Sequence, residues 1–490
     1  MELRSVVEFL EKKTILVTGA TGFLAKVFLE KILRVQPNVK KIYVLIRASD
    51  VQSATLRFYN EVLGKDLFRI IKEKWGAQLN SFISEKITIV PGDIACEDFG
   101  LKDSFLKQEM CNDLDIIVNS AAVTNFYERY DVLLGINTFG AMHIVKFANK
   151  CVKLKVLLHV STAYVAWESG LILEDSYQMG ITPNGERGLN IDMEKKVVEQ
   201  QLNQLKEKGA SKKEITHAMK DLGIQRARIY GWPTTYLLTK AMGEMVIQQY
   251  DKEKFSVVTI RPTIVTSSHR EPFPGWLDSG SISLDVNLCL LQAQGKLPFL
   301  VGDPMVVSDF VPVDMVANAM IVAMVTHAKQ YNFGLNNIYQ VGSSLRNPVK
   351  SGAFFNYCFE HFTKKSWNNN NNNENVSKIT FLNSMDSFYK HMAAITRSFK
   401  GKDVDGDMMS SGYANFLTTL VKFSRPYLFF NGIFDDKNTE KLRMAVRESG
   451  VETDIFYFDP SLIDWKDYFM NAHLPGVDKV FIPSHVLSKL

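Results

Sequence analysis

Short apolar runs rich in β-branched residues alternate with longer amphipathic stretches along the first part of the chain. The first such unit is TILVTGATGFLAKVFLEKIL, residues 14–33. Its apolar start predicts a buried strand over residues 14–17, its two glycines predict a turn, and the apolar spacing that follows predicts a helix. The alternation continues through KIYVLIRA, KITIVPGDI, LDIIVNSAAV, GINTFGAMHIV and VLLHVSTAYV. The pattern therefore indicates an α/β fold with a doubly wound parallel sheet.

The turn in the first unit has the composition of a dinucleotide site. Glycines let a backbone approach a pyrophosphate closely, and a helix N-terminus offers unpaired N–H groups and a partial positive charge. The spacing is Gly-x-x-Gly-x-x-Ala, with Ala25 where the common fingerprint has a third glycine. An ordinary tight turn is the alternative interpretation. The predicted cofactor contacts here are Thr18, Gly19, Thr21, Gly22, Phe23 and Leu24.

Arg47 ends the second predicted strand, where a dinucleotide fold places the residue that contacts the adenosine ribose. A carboxylate at that position would bind the 2′-hydroxyl, whereas a guanidinium grips a 2′-phosphate through two hydrogen bonds. The pattern therefore predicts NADPH rather than NADH. In the alternative interpretation, Arg47 is a solvated loop charge and Asp50 contacts the ribose.

The next two strand ends supply more of the predicted cofactor pocket. Residues at the carboxyl edge of a parallel sheet face the ligand, and small residues there permit close approach. The motif GDI brings Asp93 and Ile94 to the adenine edge, and the motif NSAAV brings Asn119, Ala121 and Ala122 alongside the cofactor.

A reductase of this architecture needs a proton donor beside the substrate oxygen, commonly a tyrosine with a lysine four residues later on the same helix face. Of the 17 tyrosines, Tyr236 with Lys240 and Tyr250 with Lys254 have this spacing. We favour Tyr236 and Lys240, because they lie inside the helical pattern PTTYLLTKAMGEMVIQQY. Tyr250 closes that pattern, and Lys254 lies in the polar turn before the next strand. We expect the ammonium to lower the phenol pKa and to hydrogen-bond the nicotinamide ribose.

Thr162 follows the strand VLLHV and is predicted to hydrogen-bond the carbonyl that Tyr236 protonates, with Ser161 as the alternative. A hydroxyl that only completes a local turn is the simpler interpretation of Thr162. Arg261 and Pro262 are expected in the strand that leads to the nicotinamide, with Pro262 shaping the backbone. The spacing of the histidines matches no ligand pattern, so we predict no metal site.

Composition narrows the class of protein. A chain of 490 residues that is 46% hydrophobic can bury more than one core, and a net charge of +4 falls short of a nucleic-acid-binding signature. The five cysteines have no framework spacing, so we expect structural thiols and a reducing compartment. The start MELRSVVEFLEKK has neither a signal-peptide nor a transit-peptide pattern, and the most apolar late stretch is interrupted by Lys422, Arg425 and Pro426. We expect membrane contact, if present, to be peripheral.

These motifs in this order resemble those of the plant alcohol-forming fatty acyl-CoA reductases. The resemblance covers nearly the whole chain and rests on TGATGFLAKV, VLIRA, GDI, NSAAVTNFYERYD, HVSTAYV, GWPTTYLLTKAMGE, IRPTIVTSSHREPFPGW, DFVPVDMVANAMI, PYLFFNGIFDDKNTEKLR and FYFDPSLIDWKDYF. It implies an extended short-chain dehydrogenase/reductase domain over residues 1–350, a variable Asn-rich linker over 351–380 and a smaller, mainly helical C-terminal domain over 381–490.

The resemblance also implies an activity. A long-chain acyl-CoA would be reduced to a primary alcohol through a retained aldehyde, with two NADPH consumed and CoA released. It implies a location on the cytoplasmic face of the endoplasmic reticulum. Two rival hypotheses stay open, namely a nucleotide-sugar epimerase or dehydratase of the same fold and an inactive cofactor-binding partner of lipid enzymes.

Three segments carry further expectations. A helical insertion at about residues 171–228 is expected to roof the substrate cleft, and its Lys195, Lys196, Lys212 and Lys213 could meet CoA phosphates or form solvated helix faces. The apolar residues 286–301 could line an acyl tunnel or pack in the core. The six asparagines at 368–373 and the polar segment 380–415 depart from the family pattern.

Overall fold

The computed structural model describes most of the chain. The described residues are 6–176, 178–249, 254–280, 283–329, 337–364, 376, 378–399, 404–449 and 453–481, without the side chains of 329, 395–399, 404–411 and 449. Tyr250 and the asparagines at 368–373 lie outside these ranges.

A parallel sheet of seven strands forms the centre of the fold. In spatial order, its strands are β12 (Ile338–Val341), β7 (Ser256–Pro262), β5 (Val156–Val160), β4 (Ile116–Asn119), β1 (Thr14–Thr18), β2 (Lys41–Ile46) and β3 (Ile87–Pro91). The order reverses between β1 and β4, which are neighbours in register from Ile15 opposite Ile116 to Thr18 opposite Asn119.

Short strands pair outside the central sheet. Their partners are distant in sequence, and one pair joins the segment after β5 to the C-terminal region. These strands are β6 (Gly170–Ile172) with β15 (Gly432–Phe434), β8 (Ile264–Thr266) with β11 (Phe310–Pro312), β9 (Phe299–Val301) with β14 (Thr380–Leu382), and β10 (Val307–Ser308) with β13 (Val349–Lys350).

Helices cover both faces of the sheet and form the C-terminal region. The α-helices α1 to α10 are Val6–Leu10, Phe23–Val35, Val51–Phe58, Arg69–Trp75, Leu79–Lys86, Ser104–Asp113, Tyr130–Leu133, Gly140–Lys150, Ile191–Glu207 and Lys212–Ile229. Those from α11 to α19 are Thr235–Gln248, Leu284–Ala293, Val313–Lys329, Ser351–Lys364, Met385–Phe399, Val404–Leu428, Lys437–Ser449, Trp465–Tyr468 and Leu474–Phe481. Within the described part of the chain, no helix has the length and apolarity needed to cross a bilayer.

The central strands are apolar on both sides, because each face of the sheet packs against helices. Ile15 and Val17 of β1 point into a core shared with α2 and α13, whereas Leu16 points into a second core against α8. This alternation is the two-residue period of a strand, here with both faces buried. The predicted doubly wound parallel sheet is therefore confirmed.

The C-terminal region packs into the same hydrophobic core as one face of the central sheet. Phe456, Phe469 and Leu474 belong to the same buried cluster as the residues of α2 and α13. The domain boundaries inferred from the sequence stay a prediction.

The cysteines differ from the sequence-based expectation. Cys289 of α12 and Cys358 of α14 form a disulfide with their Cα atoms 6.1 Å apart, so the expectation that all five are thiols is wrong for this pair. Cys96, Cys111 and Cys151 are free. The pairing joins helices 69 residues apart, which no local spacing could indicate.

Candidate active site

A cavity of ≈ 830 Å³ opens at the carboxyl ends of β1 and β4, the point where the strand order reverses. Doubly wound sheets bind ligands at this switch point. Of the sixteen residues predicted for the site, all but two line this cavity. The lining residues are Gly19, Thr21, Gly22, Phe23, Leu24, Arg47, Asp93, Ile94, Ala121, Ala122, Thr162, Tyr236, Lys240 and Pro262.

The turn from β1 to α2 requires glycine at its first position. Gly19 has a φ of +71°, and a Cβ there would lie 2.7 Å from the backbone of Ala121 after β4. Gly22 is the N-cap of α2, and no side chain caps the first turn of that helix. Backbone N–H groups are thus available at a cavity wall, which is the donor set that a pyrophosphate needs. We name this turn, residues 19–22, the glycine cradle.

Thr18 and Asn119 were predicted to contact the cofactor, but the structure places them behind the cavity wall. The Thr18 hydroxyl donates to the Asn119 side-chain oxygen at 2.8 Å and accepts the Ala121 N–H at 3.1 Å. The Asn119 amide group also lies 3.0 Å from His159 Nδ1, and both Thr18 and Asn119 are buried. Their hydrogen bonds fix the turn after β1 against the loop after β4.

The adenosine end of the cavity carries two guanidinium groups. Arg47 and Arg57 both line it, and the Arg57 side chain donates to the Arg47 carbonyl at 2.6 Å. Asp50 instead caps α3 by accepting the Ser53 N–H at 2.7 Å, and it is absent from the lining. Arg57 was not predicted, because its position on a helix after β2 carries no motif.

Tyr236 and Lys240 lie one turn apart on α11 and face the same cavity. The helix begins at a capping threonine, Thr234, whose hydroxyl accepts the Leu237 N–H at 3.3 Å. The Lys240 ammonium donates to the Val160 carbonyl at the end of β5, at 2.6 Å. This bond uses one of its three hydrogens and fixes α11 against the strand that delivers Thr162.

The phenol pKa differs from the sequence-based expectation. Burial raises the pKa of Tyr236, whereas we expected the nearby ammonium to lower it. Burial also lowers the pKa of Lys240 to about 8, opposed by the carboxylate of Glu244. The expectation fails because desolvation disfavours the charged phenolate, and burial is the cause of the Tyr236 shift. Tyr236 is therefore held protonated at neutral pH.

Thr162 and Ser161 both line the cavity, but their hydroxyls differ. The Thr162 hydroxyl contacts the Pro262 carbonyl and the Tyr164 N–H, each at 3.4 Å. The Ser161 hydroxyl is buried and has no hydrogen-bond partner in the described structure. Two candidate donors to a substrate oxygen thus lie beside Tyr236, and the choice between them stays open.

Arg261 points away from the cavity and anchors the catalytic helix instead. Its guanidinium and the Glu244 carboxylate of α11 are both fully buried, with Nε 3.1 Å from each carboxylate oxygen. The guanidinium also donates to the Asp175 carbonyl at 2.9 Å. Pro262, the next residue, lines the cavity. Arg261 and Pro262 therefore lie on opposite faces of β7, as successive residues of a strand do.

The far half of the cavity is mostly apolar and comes from later parts of the chain. We predicted that the helical insertion at about residues 171–228 covers the substrate cleft. That prediction is wrong for this cavity, because no described residue of 171–228 lines it. Of the stretch 286–301, only Asn287 and Leu288 do so, and Val286 and Leu290 pack in a separate core. The apolar wall includes Phe126, Ile264, Val265, Leu284, Leu288, Phe310, Phe354, Phe355, Tyr427, Leu428 and Phe430.

Asp285 is a second charged cavity residue, after Arg57, that the sequence analysis missed. It lies in the first turn of α12 and is only 8% exposed, and neither carboxylate oxygen has a hydrogen-bond partner in the described structure. Burial raises its pKa to about 6. An aspartate near a helix start is common, so its sequence position gave no signal.

The chain matches two family profiles, both described as "Male sterility protein". The NAD-binding profile covers residues 17–320, and the Sterile profile covers residues 391–482. The first range contains the cradle, Arg47 and the Tyr236–Lys240 pair, and the N-terminal region binds a nicotinamide cofactor. The second begins inside the segment 380–415 that we expected to depart from the family.

Known proteins resemble the chain over nearly its full length. It is 49% identical to "Alcohol-forming fatty acyl-CoA reductase" of Simmondsia chinensis, covering 97% of this chain and 98% of that protein. It is 45% identical to "Fatty acyl-CoA reductase 1" of Arabidopsis thaliana, covering 96% and 98%.

Among solved structures, the terminal R domain from the myxalamid biosynthetic pathway aligns with a TM-score of 0.58 at 18% identity, covering 96% of this chain and 91% of that one. A UDP-glucuronic acid 4-epimerase from Bacillus cereus aligns at 0.50 and 14% identity, covering 95% and 99%. These two likenesses concern the fold alone. The sequence matches decide the family, and the chain belongs to the fatty acyl-CoA reductases.

Proposed function

We propose that this protein is an NADPH-dependent, alcohol-forming reductase of long-chain fatty acyl-CoA. One observation carries the proposal: a single cavity runs from the glycine cradle past Tyr236 and Lys240 to an apolar wall. The cradle suits a dinucleotide, the wall suits an acyl chain, and a proton donor lies between them. Two relatives that align over nearly the full chain are named as fatty acyl-CoA reductases, and the name of the first adds that it is alcohol-forming.

The phosphorylated cofactor is favoured over NADH by the charges at the adenosine end. Two guanidinium groups, Arg47 and Arg57, line that end, and the carboxylate of Asp50 is occupied as a helix cap. Arg57 is paired with Glu61 at 2.7 Å, so Arg47 is the guanidinium at this end that has no ion pair among the described residues. A guanidinium binds a phosphate through paired hydrogen bonds, which suits the 2′-phosphate of NADPH.

When bound, the nicotinamide cofactor supplies hydride to the carbonyl carbon. Tyr236 donates its proton to the thioester oxygen as the carbon is reduced, and Thr162 or Ser161 hydrogen-bonds the same oxygen. The Tyr236 phenolate takes back the hydroxyl proton of the resulting hemithioacetal as the C–S bond breaks. The departing CoA thiolate takes a proton from solvent and leaves as the thiol. The aldehyde then accepts a second hydride and a second proton at the same phenol. The balance is one acyl-CoA, two NADPH and two protons to one alcohol, one CoA and two NADP⁺.

The test is product analysis with the purified full chain. NADPH and a series of saturated acyl-CoA from lauroyl to lignoceroyl are supplied, and extracted lipids are analysed by gas chromatography. We expect primary alcohol and free thiol in equal amounts, with twice as much NADPH oxidised. Absence of NADPH oxidation with every chain length would favour an inactive cofactor-binding protein, and accumulation of aldehyde would refute alcohol formation.

We also propose a location on the cytoplasmic face of the endoplasmic reticulum, where a long-chain alcohol could pass into the membrane. Imaging of a fluorescent fusion with a reticulum marker tests it. A diffuse or plastid signal would contradict it.

A further inference from the structure

A second groove adjoins the catalytic cavity and is basic. We name it the basic groove, and it is lined by Tyr127, Lys212, Lys213, Thr216, His217 and Lys220. Tyr127 also lines the catalytic cavity, so the two spaces share a wall. The neighbouring residue, Phe126, lies with its ring 5.3 Å from the ring of Tyr236. The groove is thus close to the reacting end of the cavity.

The lysines of the basic groove carry little compensating charge. Among described residues, neither Lys212 nor Lys213 forms an ion pair, and no acidic side chain lines the groove. Lys220 lies over the Tyr127 ring at 4.2 Å, and His217, which also lines the groove, pairs with Asp221 at 3.3 Å. Uncompensated cations at a cavity mouth attract an anionic ligand.

The structure separates the four lysines that the sequence grouped together. Lys195 pairs with Glu199 at 3.8 Å and lies 5.5 Å from the Phe139 ring. Neither it nor Lys196 lines the groove, whereas Lys212 and Lys213 do. Lys212 and Lys213 lie between Ser211 and Glu214, whose capping box already satisfies the start of α10. A ligand in the groove would therefore interact with the charged lysine side chains and not with the N–H groups at the start of α10.

We infer that the basic groove binds the 3′-phosphorylated adenosine diphosphate end of the CoA substrate. This inference rests on the proposed function. A thioester at Tyr236 leaves its pantetheine arm leading out of the cavity, and its phosphates are the most strongly charged part of the molecule. Lys212 and Lys213 face them at the groove, with Tyr127 between the two ends of the substrate.

The test compares K212Q/K213Q with the matched control K195Q/K196Q, which removes two exposed lysines from the other helix of the insertion. For an acyl-CoA kept below its micelle concentration, K212Q/K213Q should raise KM roughly three- to tenfold at low salt, because exposed charge pairs contribute modestly. The KM for the fatty aldehyde and for the acyl thioester of N-acetylcysteamine, which lack the nucleotide, should not change. The control should match the unaltered protein.

A binding measurement makes the test independent of turnover. Calorimetry with 3′,5′-ADP should show weaker binding by K212Q/K213Q than by the control. An unchanged KM for acyl-CoA together with unchanged 3′,5′-ADP binding would overturn the inference while leaving the proposed function intact. Weaker binding to vesicles of anionic phospholipid with unchanged KM would assign the lysines to a membrane surface and also overturn it. If the unaltered protein reduces neither thioester, the proposed function fails, and the calorimetry still decides the groove.

Discussion

The two halves of the catalytic cavity are built in different ways. The cofactor half comes from consecutive strand ends between Gly19 and Thr162, each with its own short motif. The acyl half is assembled from Leu284, Phe354 and Tyr427, which lie on three helices far apart in sequence. The cofactor half can be located from the sequence because its residues lie in short motifs. The acyl half cannot, because its residues come together only when the chain folds.

The largest effect is expected at the buried ion pair between Arg261 of β7 and Glu244 of α11, which fixes the helix that carries Tyr236 and Lys240. Arg261→Met leaves the Glu244 carboxylate buried without its partner, and removal of one member of a buried pair costs about 3–5 kcal/mol. We expect urea denaturation followed by circular dichroism to show that loss. Adding Glu244→Leu should restore part of it, whereas Lys40→Gln, which breaks the exposed pair with Asp113, should change little. Equal stability of Arg261→Met and the unaltered protein would disprove the anchor.

The next effect tests the cofactor half. Changing Arg47 and Arg57 together to Gln removes both guanidinium groups from the adenosine end. Each charge-assisted hydrogen bond contributes about 1.5–3 kcal/mol, so the preference for NADPH over NADH should fall by at least tenfold. The measurement is kcat/KM with each cofactor, and Lys195→Gln is a charge control. An unchanged preference would show that another group reads the 2′-position.

The next prediction tests the acyl half of the cavity by placing a larger side chain on its apolar wall. Leu284 is half-buried on the cavity wall, and Leu284→Trp should shorten the space for the chain. Because one methylene is worth about 1–3 kcal/mol in an apolar pocket, the preferred acyl-CoA should become shorter. Leu284→Met, of similar volume, should keep the original preference. The chain lengths of the alcohols formed from the acyl-CoA series measure the shift. Identical product profiles for Leu284→Trp and Leu284→Met would show that the acyl chain does not bind beside Leu284.

The smallest effect is a pH dependence. The Lys240 pKa is lowered to about 8, so its positive charge is present below that pH and lost as pH rises through it. The Tyr236 pKa is raised, so the proton donor stays protonated over the same range. We expect kcat/KM for an aldehyde to fall to half near pH 8. A rate that rises through this range would mean that neutral Lys240 is the active form.

The sequence could predict the sheet, the cradle and the Tyr236–Lys240 pair because each depends on residues close in the chain. It misplaced Thr18 and Asn119, because whether a side chain at a strand end faces the ligand or the adjacent strand depends on local geometry. It missed Asp285 and the Cys289–Cys358 disulfide, since both depend on which helices pack together. The direction of the Tyr236 pKa was wrong because burial, which the sequence does not give, outweighs the nearby charge.

The most direct test of one shared site is the rate of both reductions in Tyr236→Phe. With saturating NADPH, the purified variant is given a long-chain acyl-CoA in one assay and the matching aldehyde in another. The account predicts that both rates fall by roughly 10²- to 10⁴-fold, because one phenol supplies both protons, while NADPH binding measured by fluorescence is retained. Survival of aldehyde reduction at the unaltered rate would contradict a single catalytic cavity.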